Sequence, residues 1–141
     1  MQVSEVMTAQ VSTATPRTTV REVARTMAKV ESGAVPVVDD GKVVGLVTDR
    51  DIVLRVVAEG KGLDTPVGEV MSEDVATCRE DDNVADAVGT MGARQIRRLV
   101  VLSDGGKLAG ILSLGDVAID YGAKAVGKTL SDISENTPAA H

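Results

Sequence analysis

Apolar residues recur along the chain at two alternating spacings, which predict short helices and short strands in succession. Thr19-Val20-Arg21-Glu22 has the form of a capping box, and apolar residues follow it at helical spacing. Two β-branched runs come next, separated by Asp39-Asp40-Gly41-Lys42, a composition typical of a hairpin turn. The predicted elements are an extended segment around Val11, a helix over 20–31, strands over 34–38 and 43–47, and a helix over about 49–59.

The second half of the chain repeats this pattern. Val3-Ser4-Glu5-Val6-Met7 recurs as Val67-Gly68-Glu69-Val70-Met71, an offset of 64 residues. After one extra glycine in the second copy the offset becomes 65, and Asp51 then matches Asp116. Matches this far apart in one frame indicate two homologous units. The second unit is predicted to hold an extended segment around Val75, a helix over 84–94, strands over 98–103 and 107–112, and a helix from Leu114.

The repeat sets the predicted domain organisation. We place the two units at residues 1–64 and 65–128, followed by a polar C-terminal tail over 129–141. The fold class is α/β in the α+β sense, because each unit reads β-α-β-β-α. A unit of this length leaves one apolar face uncovered, so the two copies should pack on each other about a pseudo-twofold axis. A groove between related halves is then the natural place for a ligand.

Charge and hydropathy narrow the possible partners. The net charge is −6 at pH 7, and Arg97-Arg98 is the one pair of adjacent basic residues, whereas nucleic-acid binding needs clustered Lys and Arg. No apolar run approaches the roughly 20 residues of a membrane-spanning helix. The first ten residues lack the basic and apolar regions of a signal peptide. We therefore expect a cytoplasmic protein that binds neither nucleic acid nor a membrane.

Few residues are available for catalysis or metal binding. The chain has one cysteine, Cys78, and one histidine, His141, which disfavours a zinc cluster, a Cys–His nucleophile pair and a Ser–His–Asp triad. Turn chemistry and acids at helix N-termini explain Asp39-Asp40 and Glu80-Asp81-Asp82 without a metal. We expect no metal site, no enzymatic activity, and a half-buried structural thiol at Cys78 rather than a redox sensor.

The sharpest local feature is the segment Gly45–Asp51, mirrored by Gly110–Asp116. In each, a strand ends on a hydroxyl residue at a helix start, with a carboxylate three positions later. The free N–H groups and the hydroxyl favour a phosphate, and an acceptor-only carboxylate suits the two hydroxyls of a ribose. The same pattern is also a good helix N-cap, worth about 1 kcal/mol without any ligand, and its duplication favours the ligand interpretation. The groups are Thr48 and Asp51 in the first copy, and Ser113 and Asp116 in the second.

These residues resemble a family. The doubled unit, with Asp40-Gly41-Lys42 followed by the segment from Gly45 to Ile52, looks like a cystathionine-β-synthase (CBS) domain pair, or Bateman module. It is similar in particular to small stand-alone bacterial members of the hypoxic-response type, and the resemblance covers about residues 1–122. It implies two β-α-β-β-α units, frequent dimerisation into a flat disc, and regulatory binding of AMP, ADP or ATP in one or two clefts. S-adenosylmethionine and NAD are rarer ligands of the family.

The resemblance also implies site residues. The family's Gly-h-h-Thr/Ser-x-x-Asp signature, in which h is an apolar residue, falls on the two segments just described, and its adenine-contacting segments fall on the strands beside them. Arg50, Arg97 and Arg98 are candidates for phosphate contacts, and a solvated or salt-bridged surface role is the open alternative for each. Because the residues that flank the signature differ between the copies, we expect unequal affinities. The other residues assigned are Val11, Thr13, Ala34, Val35, Pro36, Thr48 and Asp51, and Val75, Thr77, Leu99, Val100, Ser113 and Asp116.

Two functions of different classes follow. The first is a non-enzymatic regulatory module that binds adenine nucleotides, forms a homodimer and signals to an effector protein in trans. The second is a structural or interaction dimer whose clefts are empty or hold another small molecule. An enzyme ranks third, because no base, nucleophile or metal set can be assembled from these residues.

Overall fold

The computed structural model describes residues 1–120 and 123–135. The predicted α/β class and the two repeats are confirmed. Within the described range no helix is both long enough and apolar enough to cross a membrane. The elements, in chain order, are β1 (Thr8–Ala9), α1 (Val20–Val30), β2 (Ala34–Asp39), β3 (Lys42–Thr48), α2 (Asp49–Ile52) with a π-helical turn (Val53–Val57), β4 (Thr77–Arg79), α3 (Val84–Arg94), β5 (Arg98–Leu102), β6 (Leu108–Ser113), α4 (Leu114–Asp120) and α5 (Ala123–Glu135), with 3-10 turns at Val3–Glu5 and Val67–Glu69.

The chain divides into two compact units whose limits differ from the limits of the sequence repeats at 1–64 and 65–128. One unit, here called the first-copy unit, is residues 11–75. The other, the second-copy unit, is residues 1–10 together with the described residues from Ala76 onward. The opening segment of each repeat therefore belongs to the compact unit of the other copy. Part of the predicted tail over 129–141 lies in α5, and its residues 136–141 fall outside the described range.

The first-copy unit is built on the β2–β3 hairpin. Gly41, with a φ of 78°, occupies the left-handed region in its turn, which glycine adopts without steric cost. Helix α1 begins where the Thr19 side chain accepts a hydrogen bond from the Glu22 N–H, 3.2 Å away, as the capping pattern predicts. Near Val11 the predicted extended segment is reduced to one parallel bridge between Ala14 and Val37. The buried core consists of Ala14, Val20, Val23, Val35, Val37, Val47, Val56, Val67 and Val70.

The second-copy unit contains a four-stranded sheet in the order β1-β6-β5-β4. Strands β4 and β5 are parallel, and the other two pairs are antiparallel. Helix α5 packs against α3 and places Ile133 in the core. Helix α3 begins at Asn83, whose side chain accepts a hydrogen bond from the Ala85 N–H at 2.9 Å. The core consists of Val3, Val6, Val84, Ala87, Val88, Met91, Leu99, Val101, Leu112, Leu114, Val117 and Ile133.

The repeated opening segments do the same work in both units. Val3 and Val6 are buried in the second-copy core, and their repeat equivalents Val67 and Val70 are buried in the first-copy core. Both pairs begin on a 3-10 turn, which brings residues three apart to the same side of the backbone. Each copy of the Val-x-Glu-Val pattern therefore supplies two buried valines to a hydrophobic core.

Candidate functional site

In each unit, strand pairing brings the start of one strand beside the end of the next. Ala34 lies opposite Thr48 in the β2–β3 pair, and Arg98 lies opposite Ser113 in the β5–β6 pair. The strand-to-helix junctions that result are called here the first corner, Thr48–Asp51, and the second corner, Ser113–Asp116. The residues that the sequence assigned to phosphate and to adenine are thus neighbours within each copy.

Both corners form reciprocal capping boxes. At the first, the Thr48 N–H donates to Asp51 Oδ2 at 2.9 Å and the Asp51 N–H donates to Thr48 Oγ1 at 3.2 Å. At the second, the Ser113 N–H donates to Asp116 Oδ2 at 3.2 Å and the Asp116 N–H donates to Ser113 Oγ at 3.1 Å. The helix-cap interpretation therefore holds at both corners. A ligand interpretation remains compatible with it, because each hydroxyl accepts in this arrangement and keeps its own O–H as a donor.

Each carboxylate also accepts a hydrogen bond from a hydroxyl that the sequence analysis missed. Ser72 Oγ lies 3.4 Å from Asp51 Oδ1, and Thr8 Oγ1 lies 3.4 Å from Asp116 Oδ2. Thr8 and Ser72 are repeat equivalents, 64 residues apart. The available signal was the hydroxyl residue that directly follows the repeated Val-x-Glu-Val-Met.

The glycine of the signature has a packing role. A β-carbon at Gly45 would lie 2.9 Å from Met71 Cγ and 3.1 Å from the Ser72 carbonyl oxygen. A β-carbon at Gly110 would meet the Thr8 carbonyl oxygen. Each opening segment therefore lies directly on the strand that leads to the corner, and glycine is what lets the two backbones approach.

A cation, Arg55, lies beside the carboxylate of the first corner, and its repeat equivalent at the second corner is an acid. Arg55 Nε lies 3.9 Å from Asp51 Oδ1, and an Arg55 guanidinium nitrogen donates to the carbonyl oxygens of Val70 and Met71, each at 3.1 Å. In the second copy the equivalent position, 65 residues later, is Asp120. The two corners thus share their hydrogen-bonded frame and differ in charge.

A cavity of about 390 Å³ opens at the second corner, a volume within the range of small-molecule sites. Two of the residues that line it, Arg97 and Arg98, form no ion pair or side-chain hydrogen bond within the part of the chain that the structure describes. Asp116 itself is not among the lining residues, since its carboxylate faces Thr8 and the cap. The lining consists of Arg97, Arg98, Ser113, Leu114, Gly115, Ala118 and Leu130.

The residues assigned to adenine differ in their accessibility. The Val35 and Leu99 side chains are part of their units' cores, and both residues are paired within antiparallel strands, so neither is open to a base. Thr77 is exposed and lies beside Val100 in the parallel β4–β5 pair. Of the other adenine candidates, Ala34, Pro36 and Val100 are buried, Val11 and Val75 are half-buried, and Thr13 is exposed. The phosphate candidate Arg50 is also exposed.

The arrangement of the carboxylates and the burial of the thiol describe the remaining titratable groups. In the described ranges no group of three or more His, Cys, Asp or Glu side chains is placed to hold a metal ion. Cys78 is half-buried in the second-copy unit. Burial, with a smaller contribution from the Asp82 carboxylate, raises the pKa of the Cys78 thiol to about 11, so the thiol is protonated at neutral pH.

Comparison with known proteins gives a consistent family. The CBS domain model matches residues 3–58 and again residues 67–120. The CBS domain-containing protein YhcV of Bacillus subtilis is 41% identical over 133 residues, which span 94% of this chain and 94% of that protein. Identity at this level along nearly the whole length indicates a shared fold throughout.

Two solved structures of CBS proteins carry adenosine-type ligands. The CBS domain protein PAE2072 from Pyrobaculum aerophilum, complexed with AMP, is 28% identical with a TM-score of 0.78, over 93% of this chain and 98% of that one. The CBS domain pair of protein MJ0100, in complex with 5′-methylthioadenosine and S-adenosyl-L-methionine, is 26% identical with a TM-score of 0.76, over 84% of this chain and 94% of that one. The doubled family match, the sequence relative and the structural likeness show that this chain belongs to the CBS domain family and is a pair of CBS domains.

Proposed function

We propose that the protein is a non-enzymatic regulatory module that binds an adenine nucleotide, AMP, ADP or ATP, and signals its occupancy to a partner protein in trans. The observation that carries the proposal is the cavity at the second corner, where two guanidinium groups without an ion pair among the described residues meet a hydroxyl in one concave site. The AMP seen in a similar CBS protein gives independent support. The cytoplasmic location expected from the sequence is part of this proposal.

The chemistry of the cavity favours a phosphorylated ligand. The planar forks of Arg97 and Arg98 match phosphate oxygens in a bidentate manner, and Ser113 adds an O–H donor. Asp116, next to the cavity, offers a carboxylate oxygen to ribose hydroxyls, and the outer backbone edge of Thr77, on the edge strand β4, serves the base. S-adenosylmethionine is a weaker candidate for this cavity because its sulfonium cation would face two guanidinium groups, and NAD ranks with it as a secondary ligand.

Thermal unfolding tests the proposal. Ligand at 100 times its dissociation constant stabilises a fold by about 2.7 kcal/mol, which for a chain of this length raises the melting temperature by roughly 5–10 °C. We expect that rise with AMP, ADP or ATP, and its loss in an Arg97→Ala, Arg98→Ala double variant. Arg25→Ala, at an exposed position of α1, is the matched control and should keep the rise. If no adenine nucleotide shifts the melting of the ligand-free protein, the proposal fails.

A second function, a structural or interaction dimer with empty clefts, rests on a different surface. Val53, Leu54 and Val57, on the π-helical turn, are 55%, 47% and 67% exposed. An apolar strip of this kind is typical of a face that binds protein, and it also supports the homodimer that the first function includes. Light scattering should show a dimer that Leu54→Glu converts to monomer. A monomeric wild-type protein would exclude the dimer.

A further inference from the structure

We propose that the two corners are unequal in a definite direction. The second corner, Ser113–Asp116, is the nucleotide site. The first corner, Thr48–Asp51, is a latch in which Arg55 and Ser72 occupy the positions that a ligand would need. The inference rests on the proposed function and names which copy binds and which residues decide it.

The two corner carboxylates differ in how many of their oxygens already have a partner. Asp51 uses both: Oδ2 accepts from the Thr48 N–H, and Oδ1 faces Ser72 Oγ at 3.4 Å and Arg55 Nε at 3.9 Å. Its side chain is only 12% exposed. Asp116 accepts both of its hydrogen bonds on Oδ2, and its Oδ1 has no partner among the described residues. A ribose hydroxyl therefore finds an open acceptor at Asp116 and an occupied one at Asp51.

The charged residues around the two corners also differ. Arg97 and Arg98 line the cavity of the second corner, and their repeat equivalents in the first copy are Gly33 and Ala34. A phosphate at the first corner would find no such guanidinium pair. The first corner has the adjacent Asp49 and Arg50 instead, whose opposite charges offset each other. Like charges at short range disfavour binding, and opposite charges favour it. The phosphate thus selects the second corner.

Arg55 connects the Asp51 carboxylate to the opening segment of the second repeat. Its guanidinium donates to the carbonyl oxygens of Val70 and Met71, in the segment whose Val70 side chain is buried in the first-copy core. The same side chain faces Asp51 and so joins that segment to the carboxylate. A ribose hydroxyl at the first corner would have to displace the Ser72 hydroxyl and compete with the Arg55 cation for Asp51 Oδ1. Removing Arg55 should free the Asp51 carboxylate while leaving its cap intact.

Calorimetric titration of AMP into the full chain tests the direction. We expect one tight site in the wild type. Loss of a hydrogen bond to a charged group corresponds to an affinity about 10–100-fold weaker, which we expect for Asp116→Asn. Asp51→Asn should bind AMP within about 3-fold of the wild type, less than the loss of one such bond would cost. Arg55→Gln should add a second, weaker binding event, and Ser72→Ala tests the same latch if the first variant does not fold.

The possible results distinguish a failure of the copy preference proposed here from a failure of nucleotide binding itself. If AMP binds and Asp51→Asn weakens it as much as Asp116→Asn does, the direction is overturned while nucleotide binding stands. If neither Arg55→Gln nor Ser72→Ala gains a second event, the latch is overturned. If the wild-type chain binds no AMP, the proposed function fails and the inference falls with it. Circular dichroism of each variant confirms that it is folded before titration.

Discussion

Substituting Gly110 by alanine tests the packing account of the signature most sharply. The added β-carbon would meet the carbonyl oxygen of Thr8 and lie 3.1 Å from Met7 Sδ. A sulfur on a flexible side chain can move aside, but a backbone oxygen moves only with its strand. Since β1 pairs with β6 through Ala9 and Gly110, the substitution must push β1 off the sheet edge.

The size of the effect follows from how far β1 moves. Overpacking of this kind costs about 1–3 kcal/mol. The cost rises if Val3 and Val6 also leave the core, because each fully buried valine contributes about 1.5–3 kcal/mol. We expect Gly110→Ala to lower the free energy of unfolding by about 1–3 kcal/mol, and the melting temperature by about 2–4 °C for each kcal/mol.

Urea unfolding measures this loss, and two other glycines provide the scale. Gly45→Ala should cost less, since the nearest atoms there belong to the Met71 side chain. Gly105→Ala, in the β5–β6 turn, meets nothing within 4 Å and should change the free energy of unfolding by less than about 0.5 kcal/mol. If Gly110→Ala unfolds at the same urea concentration as Gly105→Ala, the argument that the signature glycine serves the opening segment is wrong.

Three further predictions concern the core, a cap and the thiol. Leu112→Ala, at a fully buried position of β6, should cost about 2–5 kcal/mol of unfolding free energy, whereas Leu63→Ala, at a 50% exposed position, should cost far less in the same urea assay. Asn83→Ala removes the cap of α3 and should cost about 1 kcal/mol, a loss that Asn83→Ser largely restores. Because the pKa of Cys78 is raised to about 11 from 9.0, its thiolate fraction at pH 8 should be about 100-fold lower than in the unfolded chain, so a disulfide reagent should react slowly until denaturant is added. The raised pKa also means that the stability contributed by the protonated thiol is present below pH 9 and declines as the pH rises from 9 through 11; a Cys78 that reacts as fast in the folded as in the unfolded chain would contradict both statements.

Sequence patterns predict the helices and strands because their signals are local. The capping residue Thr19 and the turn glycine Gly41 each act on the nearest few residues, and the structure places both as expected. The second copy repeats these signals, so its elements follow as well. The π-helical turn at Val53–Val57 has no comparable local signal, and the sequence predicted an ordinary helix there.

The assignment of segments to units could not be predicted. Val3-Ser4-Glu5-Val6-Met7 and its repeat are nearly the same in composition, so either would fill either core. Which core each one fills depends on the path of the chain between them, which local periodicity does not encode. The limits at residues 10 and 75 therefore come from the structure alone.

The site was partly predictable. The duplicated signature locates Thr48, Asp51, Ser113 and Asp116 correctly at strand-to-helix junctions. The hydroxyls of Thr8 and Ser72 reach their carboxylates only after long-range packing, so the signature does not indicate them. Arg55 stands four residues after Asp51, and that spacing on a helix is a recognisable pairing signal that the sequence analysis passed over.

A crystal structure of the protein grown with AMP tests the central claim most directly. The account predicts the phosphate between the guanidinium groups of Arg97 and Arg98 and the Ser113 hydroxyl, with the ribose on the free oxygen of Asp116 and the first corner still closed by Arg55. AMP bound only at Thr48–Asp51, or a cavity that stays empty at saturating AMP, would contradict it.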